Sequence, residues 1–176
     1  YGTVTGVQTC ALPIFMLAMF DPNRCVPEQM KNLEKMAGKF AGLKVQATVL
    51  ESPIRGLLGE GRPLMEYAEA HDMPVLIHTS ISPKDKWSQT RDCLDVAAAF
   101  PKARFNLAHS MRFHEKSLRE AVTLPNVWVD CSAHLAHCDL AVTNLAAVAT
   151  PGERVKADYT KPTHVLEVIH EILGSK

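Results

Sequence analysis

Pro74-Val-Leu-Ile-His-Thr-Ser80 and Ala103-Arg-Phe-Asn-Leu-Ala-His-Ser110 each run through a short apolar stretch and close on a histidine. A parallel strand in an α/β layer is covered on both faces, so it reads as a near-continuous apolar run, and polar residues with a chemical role collect at its C-terminal end. His78 and His109, 31 residues apart, occupy two such ends. A third stretch, Asn126-Val-Trp-Val-Asp130, ends on a carboxylate in the same way.

Outward from these stretches, runs of strand character alternate with runs of period 3.6. Residues 15–20 read as a strand stopped by Asp21-Pro22, and Pro27 opens a helix whose apolar stripe is Met30, Leu33, Ala37 and Phe40. Residues 42–48 form the next predicted strand. A Gly- and Pro-rich loop over 52–62 leads to a helix with Leu64, Met65 and Ala68 on one side, then to the His78 strand. Helices are predicted over 89–100, 113–124 (burying Leu118, Ala121 and Val122) and 163–173. Five strands separated by about 20 to 35 residues, with helices between them, imply right-handed βαβ units and a parallel sheet. Periodicity leaves two architectures open, a small doubly wound sheet or the middle of an eight-stranded barrel.

Composition narrows the partners. The chain has 176 residues, 47% of them hydrophobic, enough for one domain with a substantial core. Lys plus Arg and Asp plus Glu balance at 19 each, with no basic stripe, so nucleic acid is not an expected partner. The longest apolar stretch, residues 11–20, contains Pro13 and is about half the ~20 residues that span a bilayer, so no membrane segment is expected. Five scattered cysteines, Cys10, Cys25, Cys93, Cys131 and Cys138, odd in number and lacking a C-x-x-C spacing, suit reduced thiols and a cytoplasmic location. Residues 1–10 hold no Lys or Arg of the kind that precedes a secretory apolar run.

Both ends look cut. Residues 4–14 resemble translated sequencing-adapter read-through, so 1–14 are set apart as a non-native leader and 15–176 as the domain. Gly174 follows a helical pattern as a turn residue that should lead onward.

Pro-Val-Leu-Ile-His-Thr (74–79), Phe-Pro-Lys-Ala-Arg-Phe-Asn-Leu-Ala-His-Ser (100–110) and Pro-Asn-Val-Trp-Val-Asp-Cys-Ser (125–132) resemble, in order and spacing, the fifth, sixth and seventh strands of the amidohydrolase-related metal-dependent hydrolases. The resemblance implies an α/β fold, a partial TIM (β/α)8 barrel comprising about strands 3 to 7 with their helices. It implies a divalent metal, zinc, with His78 as a ligand, and His109 beside it handling protons or the bound water. Family members hydrolyse amide, ester or lactone bonds of small molecules, and related branches decarboxylate or hydrate small carboxylic acids. The departures are as clear. The family's first-strand His-x-His pair and eighth-strand Asp motif do not occur in this chain. A catalytic zinc takes three protein ligands plus water, so the chain by itself is expected to be inactive, with activity, and any homo-oligomer, belonging to an intact parent.

The chemistry suits these residue types. Bound zinc lowers the pKa of its water from ~15.7 toward ~7, and a nearby imidazole titrating near ~6.5 exchanges the proton at little cost. Asp130 is a candidate to orient a histidine or touch substrate, with loop capping as the plainer role. Arg55, in the 52–62 loop, is the candidate partner of a substrate carboxylate through its planar fork, and Trp87 the candidate pocket wall; surface or packing duty is the plainer reading of each. Lys44, inside a strand, is assigned no role, nor are His71, His114, His164 and His170. Cys131, His134, His137, Cys138 and Asp139 offer metal donors within nine residues, without the paired spacing of structural zinc sites, in what reads as the loop after a strand. Two rival readings stand beside the favoured one: a TatD-type metal-dependent nuclease barrel, and a non-catalytic α/β domain with structural histidines.

Overall fold

A computed structural model describes residues 16–144 and 147–174; the expected leader, together with Phe15, lies outside them. Five parallel strands, β1 (Leu17–Phe20), β2 (Gly42–Val45), β3 (Pro74–Ile77), β4 (Arg104–Leu107) and β5 (Val127–Val129), make one sheet in the order β1-β2-β3-β4-β5. A doubly wound sheet reverses its strand order at a switch point. Here the order never reverses, and right-handed connections in such a series put every connecting helix on the same side. The sheet is therefore an arc of a (β/α)8 barrel, five of its eight strands, which removes the doubly wound alternative.

The pleat sorts the residues. Leu43 and Val45, Val75 and Ile77, Phe105 and Leu107, and Val127 stand on the helix-covered face and are all buried. The opposite face carries Met19, Lys44, Leu76, Asn106 and Trp128 side by side, and Met19 and Trp128 are 59% and 43% exposed. This is the inner face, the side that becomes the lumen when a barrel closes. Gly42 is required where β2 meets β3, because a Cβ there would lie 2.6 Å from the Pro74 carbonyl oxygen.

The helices are α1 (Val26–Lys35), α2 (Ala47–Leu50), α3 (Arg62–Ala70), α4 (Thr90–Ala99), α5 (Glu115–Thr123), α6 (His134–Val142) and α7 (Pro162–Leu173). Proline in the first turn opens α1, α3 and α7, where its missing N–H costs nothing. Met30, Leu33 and Phe40 pack as the stripe requires, but α1 ends at Lys35 and Ala37 lies exposed beyond it. The strand expected over 42–48 stops at Val45. Its last predicted residue, Thr48, sits in the single turn of α2, where its hydroxyl donates to Asp85 Oδ2 at 2.6 Å. The segment after β5 is likewise helix, not loop, from His134 onward. Among the described residues no helix is long and apolar enough to cross a membrane, and Cys25, Cys93, Cys131 and Cys138 are free thiols.

Asn126, just before β5, is buried, and its amide donates to the carbonyls of Ala97 (3.1 Å), Phe100 (3.0 Å) and Ala103 (3.0 Å). One side chain thus closes the C-terminal end of α4 and fixes the entry to β4. Asn126→Ala leaves those carbonyls without the amide and is expected to lower stability by about 1–3 kcal/mol, read by urea denaturation; an unchanged midpoint would refute this tie.

Candidate active site

Ladder hydrogen bonds run one residue past the strand ends. The N–H of His78 donates to Val45 O (3.1 Å), that of Ala108 to Ile77 O (2.9 Å) and that of Asp130 to Leu107 O (3.1 Å). By alternation His78 and Asp130 fall on the inner face at the level of Ala108. The chain then turns sharply. His109, Ser110, Met111, Arg112 and Phe113 all have positive φ, 66°, 48°, 46°, 57° and 65°, a left-handed turn of five non-glycine residues. Each such residue costs about 1–2 kcal/mol relative to ordinary backbone, and the surroundings supply the compensation. The N–H groups of His109 and Ser110 donate to Asp130 Oδ1 (3.0 Å) and Asp130 O (2.7 Å), the carbonyls of Arg112 and Phe113 accept from Ala149 and Val155 (both 3.0 Å), and Met111 and Phe113 are fully buried.

The turn assembles a continuous hydrogen-bonded chain. Arg112 Nη2 lies 3.4 Å from His78 Nε2, His78 Nδ1 lies 3.0 Å from His109 Nε2, and His109 Nδ1 faces the Ser132 hydroxyl (2.9 Å) and carbonyl (3.2 Å). The Ser132 hydroxyl in turn donates to Asp130 Oδ1. Its two ends fix its direction, because a guanidinium can only donate and a carbonyl can only accept. His109 therefore carries its proton on Nδ1 and accepts at Nε2, and His78 carries its proton on Nδ1 and accepts from Arg112 at Nε2. Arg112 Nη1 also donates to His137 Nε2, which puts the His137 proton on Nδ1, and Arg112 Nε donates to Thr79 O at 2.9 Å. The rings of His78 and His109, and of His109 and His137, meet edge-on with centroids 4.8 and 5.3 Å apart.

Electrostatics keep these imidazoles neutral. Burial, then the charge of Arg112, pushes His78 down to about 4, and His137 to about 4 for the same reasons. Burial also lowers His109. Asp130 is held below the usual carboxylate range, its burial outweighed by hydrogen bonds from Ser132 and the His109 backbone. Lys44 is lowered by burial, with Asp130 partly opposing.

The structure thus brings His78, His109 and Asp130 together. It does not bring Arg55 to them: that guanidinium lies on the 3-10 turn Ile54–Leu58, paired with Asp92 (3.1 Å) and Asp95 (2.7 Å) of α4. Trp87 packs on the core from the loop after β3, with Lys86 over its ring. Arg112, Ser132 and His137 are members that sequence reasoning passed over as site residues. Ser132 stood within the quoted Asp-Cys-Ser motif, and His137 within the noted donor cluster. A cavity of about 330 Å³ follows the inner face from Arg104 and Trp128 to Asp130. Asn106 Oδ1 and Gln46 Oε1, buried side-chain oxygens of β4 and of the residue after β2, have no hydrogen-bond partner among the described residues.

These residues do not by themselves fit a resident divalent metal. Among the described residues no three His, Cys, Asp or Glu side chains converge as a ligand set. Both nitrogens of His78 are engaged, one by His109 and the other by the Arg112 cation. In the group of donors noted over 131–139, His134 Nε2 donates to Pro162 O at 2.9 Å and lies 3.5 Å from Cys138 Sγ, while Cys131 is exposed.

The amidohydrolase family model matches residues 10–168. The chain belongs to the amidohydrolase family. No curated protein matches its sequence. Solved structures agree on the fold. An amidohydrolase from Burkholderia multivorans with bound Zn superposes with TM-score 0.61 at 14% identity, over 91% of this chain and 55% of that one. An uncharacterized TIM-barrel protein from Bordetella bronchiseptica gives 0.59 at 14%, over 90% and 58%. Dihydroorotase from Campylobacter jejuni gives 0.54 at 15%, over 90% and 46%. At these identities the likeness speaks for the fold alone, and the chain spans about half the length of each structure.

The lowered histidines set a pH dependence. Unfolded imidazoles titrate near ~6.5, whereas His78 and His137 do so at about 4 when folded. Between those values the unfolded chain binds protons that the folded chain refuses, so their contribution is complete above the unfolded value and is lost as pH falls through the window. The melting temperature is expected to drop from pH 7 toward about 4, with a shallower slope in His137→Gln. A profile as steep in the variant as in the parent would contradict the assignment.

Proposed function

We propose that the complete barrel containing these strands hydrolyses an amide, ester or lactone bond of a small molecule, with decarboxylation or hydration of a small carboxylic acid as the alternative chemistry of the same site. The observation that carries the reading is the orientation of His109. Ser132, whose hydroxyl donates to Asp130, accepts from its Nδ1–H, so the lone pair of Nε2 points toward His78 and the inner face. In exchange for the His78 contact, that lone pair accepts a proton from an attacking water and returns it to the leaving group. The Ser132–Asp130 pair stabilises the imidazolium formed between the two transfers, as a carboxylate behind a histidine does. Divalent-metal dependence, with zinc as the metal and His78 as one ligand, belongs to the same proposal; it requires His78 Nε2 to exchange its Arg112 contact for the metal, and further ligands from strands other than the five described.

In the complete enzyme, His109→Ala is expected to lower kcat by about 10²–10⁴-fold, the range for loss of a positioned acid–base group. Ser132→Ala acts through His109, so kcat should fall by roughly tenfold with KM little changed and the acid limb of the kcat profile displaced. Activity of His109→Ala equal to the parent's on an ester, lactone and amide panel would sink the proposal.

A further inference from the structure

A second cavity, of about 510 Å³, opens on the first turns of α4 and α5, between the loop after β3 and the segment 148–153. None of its lining residues belongs to the chain from Arg112 to Asp130, and all of its walls come from the described arc. Its floor is a directed line of donors. Thr90 and Ser117 are 4% and 5% exposed, and the Ser117 hydroxyl donates to Thr90 Oγ1 at 3.2 Å. A hydroxyl has one proton to give, so the 2.6 Å contact between His114 Nδ1 and Ser117 Oγ is a donation by the imidazole. The line ends on the Thr90 hydroxyl proton, which has no acceptor among the described residues. No side chain caps α4 or α5, and the N–H groups of Lys116 and Ser117 also lack an acceptor among those residues. Unmet buried donors cost free energy, and uncapped helix starts carry partial positive charge, so this floor suits an oxyanion.

The rim carries both signs. Arg91 and Glu120 neutralise each other at 2.6 Å. Lys116 and Glu153 are in no ion pair among the described residues. Burial lowers His114, with Glu153 opposing and Lys116 adding to the shift, so both charges lie near this one ring. The Thr150 hydroxyl donates to Glu153 Oε2 at 2.7 Å and leaves Oε1 open. Ile81, Pro83 and Val148 form an apolar wall.

We propose that this cavity binds a free α-amino acid with an aliphatic side chain. The ligand carboxylate takes the Thr90 hydroxyl, the N–H donors at the start of α5 and the Lys116 ammonium. Its α-ammonium pairs with Glu153, and its side chain lies on Ile81, Pro83 and Val148. A simple anion would leave the Glu153 charge facing it, and a simple cation would leave the Thr90 donor unmet; a zwitterion answers both. The site shares no residue with the proposed hydrolytic centre, so either can fail while the other stands.

The test is calorimetric titration of the 176-residue chain with L-leucine, with 4-methylpentanoate, which lacks the ammonium, and with isopentylamine, which lacks the carboxylate. Leucine should bind with a Kd on the order of millimolar and shift the amide NMR signals of Lys116 and Ser117, the other two binding more weakly. Glu153→Gln should weaken leucine by about fivefold and leave 4-methylpentanoate unchanged, because only leucine has a charge for Glu153 to meet. Thr90→Val should weaken leucine by about tenfold, as loss of a hydrogen bond to a charged group does. Circular dichroism shows whether the valine variant folds; if it does not, Glu153→Gln and the amide signals of the parent decide. No binding of leucine, equal binding of leucine and 4-methylpentanoate, equal losses for both in Glu153→Gln, parental affinity in folded Thr90→Val, or shifts centred on His78 and His109 would each overturn the proposal.

Discussion

In-register pairing of β3, β4 and β5 is the constraint on which the candidate site depends. Because the ladder continues one residue beyond each strand, the backbones of His78, Ala108 and Asp130 are locked at one height. A slip of one residue would move His78 to the helix-covered face and Ile77 to the inner one, exchanging an imidazole for an isoleucine at the site. The apolar row of Val75, Ile77, Phe105 and Leu107, all fully buried, makes that slip prohibitive. Packing on the outer face thus fixes chemistry on the inner one.

Charge supplies the second layer of order. Arg112 at one end and Asp130 at the other give the intervening imidazoles and hydroxyl a single consistent direction of donation. Such a chain polarises cooperatively in a low-dielectric setting, and each member fixes the tautomer of the next. The backbone that permits it is unfavourable in isolation, since five consecutive left-handed residues have no intrinsic preference for that form. Hydrogen bonds to Asp130 and burial of Met111 and Phe113 hold the turn in place. Strain sustained by surrounding structure at a cluster of titratable groups is what a functional site leads one to expect.

Much of this was legible in the sequence. The apolar runs ending in His78, His109 and Asp130 located three strand ends, and their order and spacing pointed to the amidohydrolase barrel, which the family match and the strand order bear out. What escaped was conformation without a periodic signal. Thr48 and Val49 have strand propensity, yet the chain leaves the sheet at Val45 because the Thr48 hydroxyl finds Asp85 and Ser88. His134 to Val142 lacks a clean amphipathic pattern, since His134, His137, Cys138 and Ala141 bury one side while Leu135 and Val142 are exposed. Arg112 was invisible for a different reason. A guanidinium three residues past His109 reads as solvated surface unless the left-handed turn is known, and no glycine announces that turn.

The direction of the hydrogen-bonded chain is the central claim, and histidine tautomers report it directly. Long-range ¹H–¹⁵N NMR of the imidazole rings at neutral pH should show His78, His109 and His137 neutral, each protonated at Nδ1 with an unprotonated Nε2. A proton on Nε2 of His78 or His109, or a doubly protonated ring at either position, would break the chain between Arg112 and Asp130 and contradict the account.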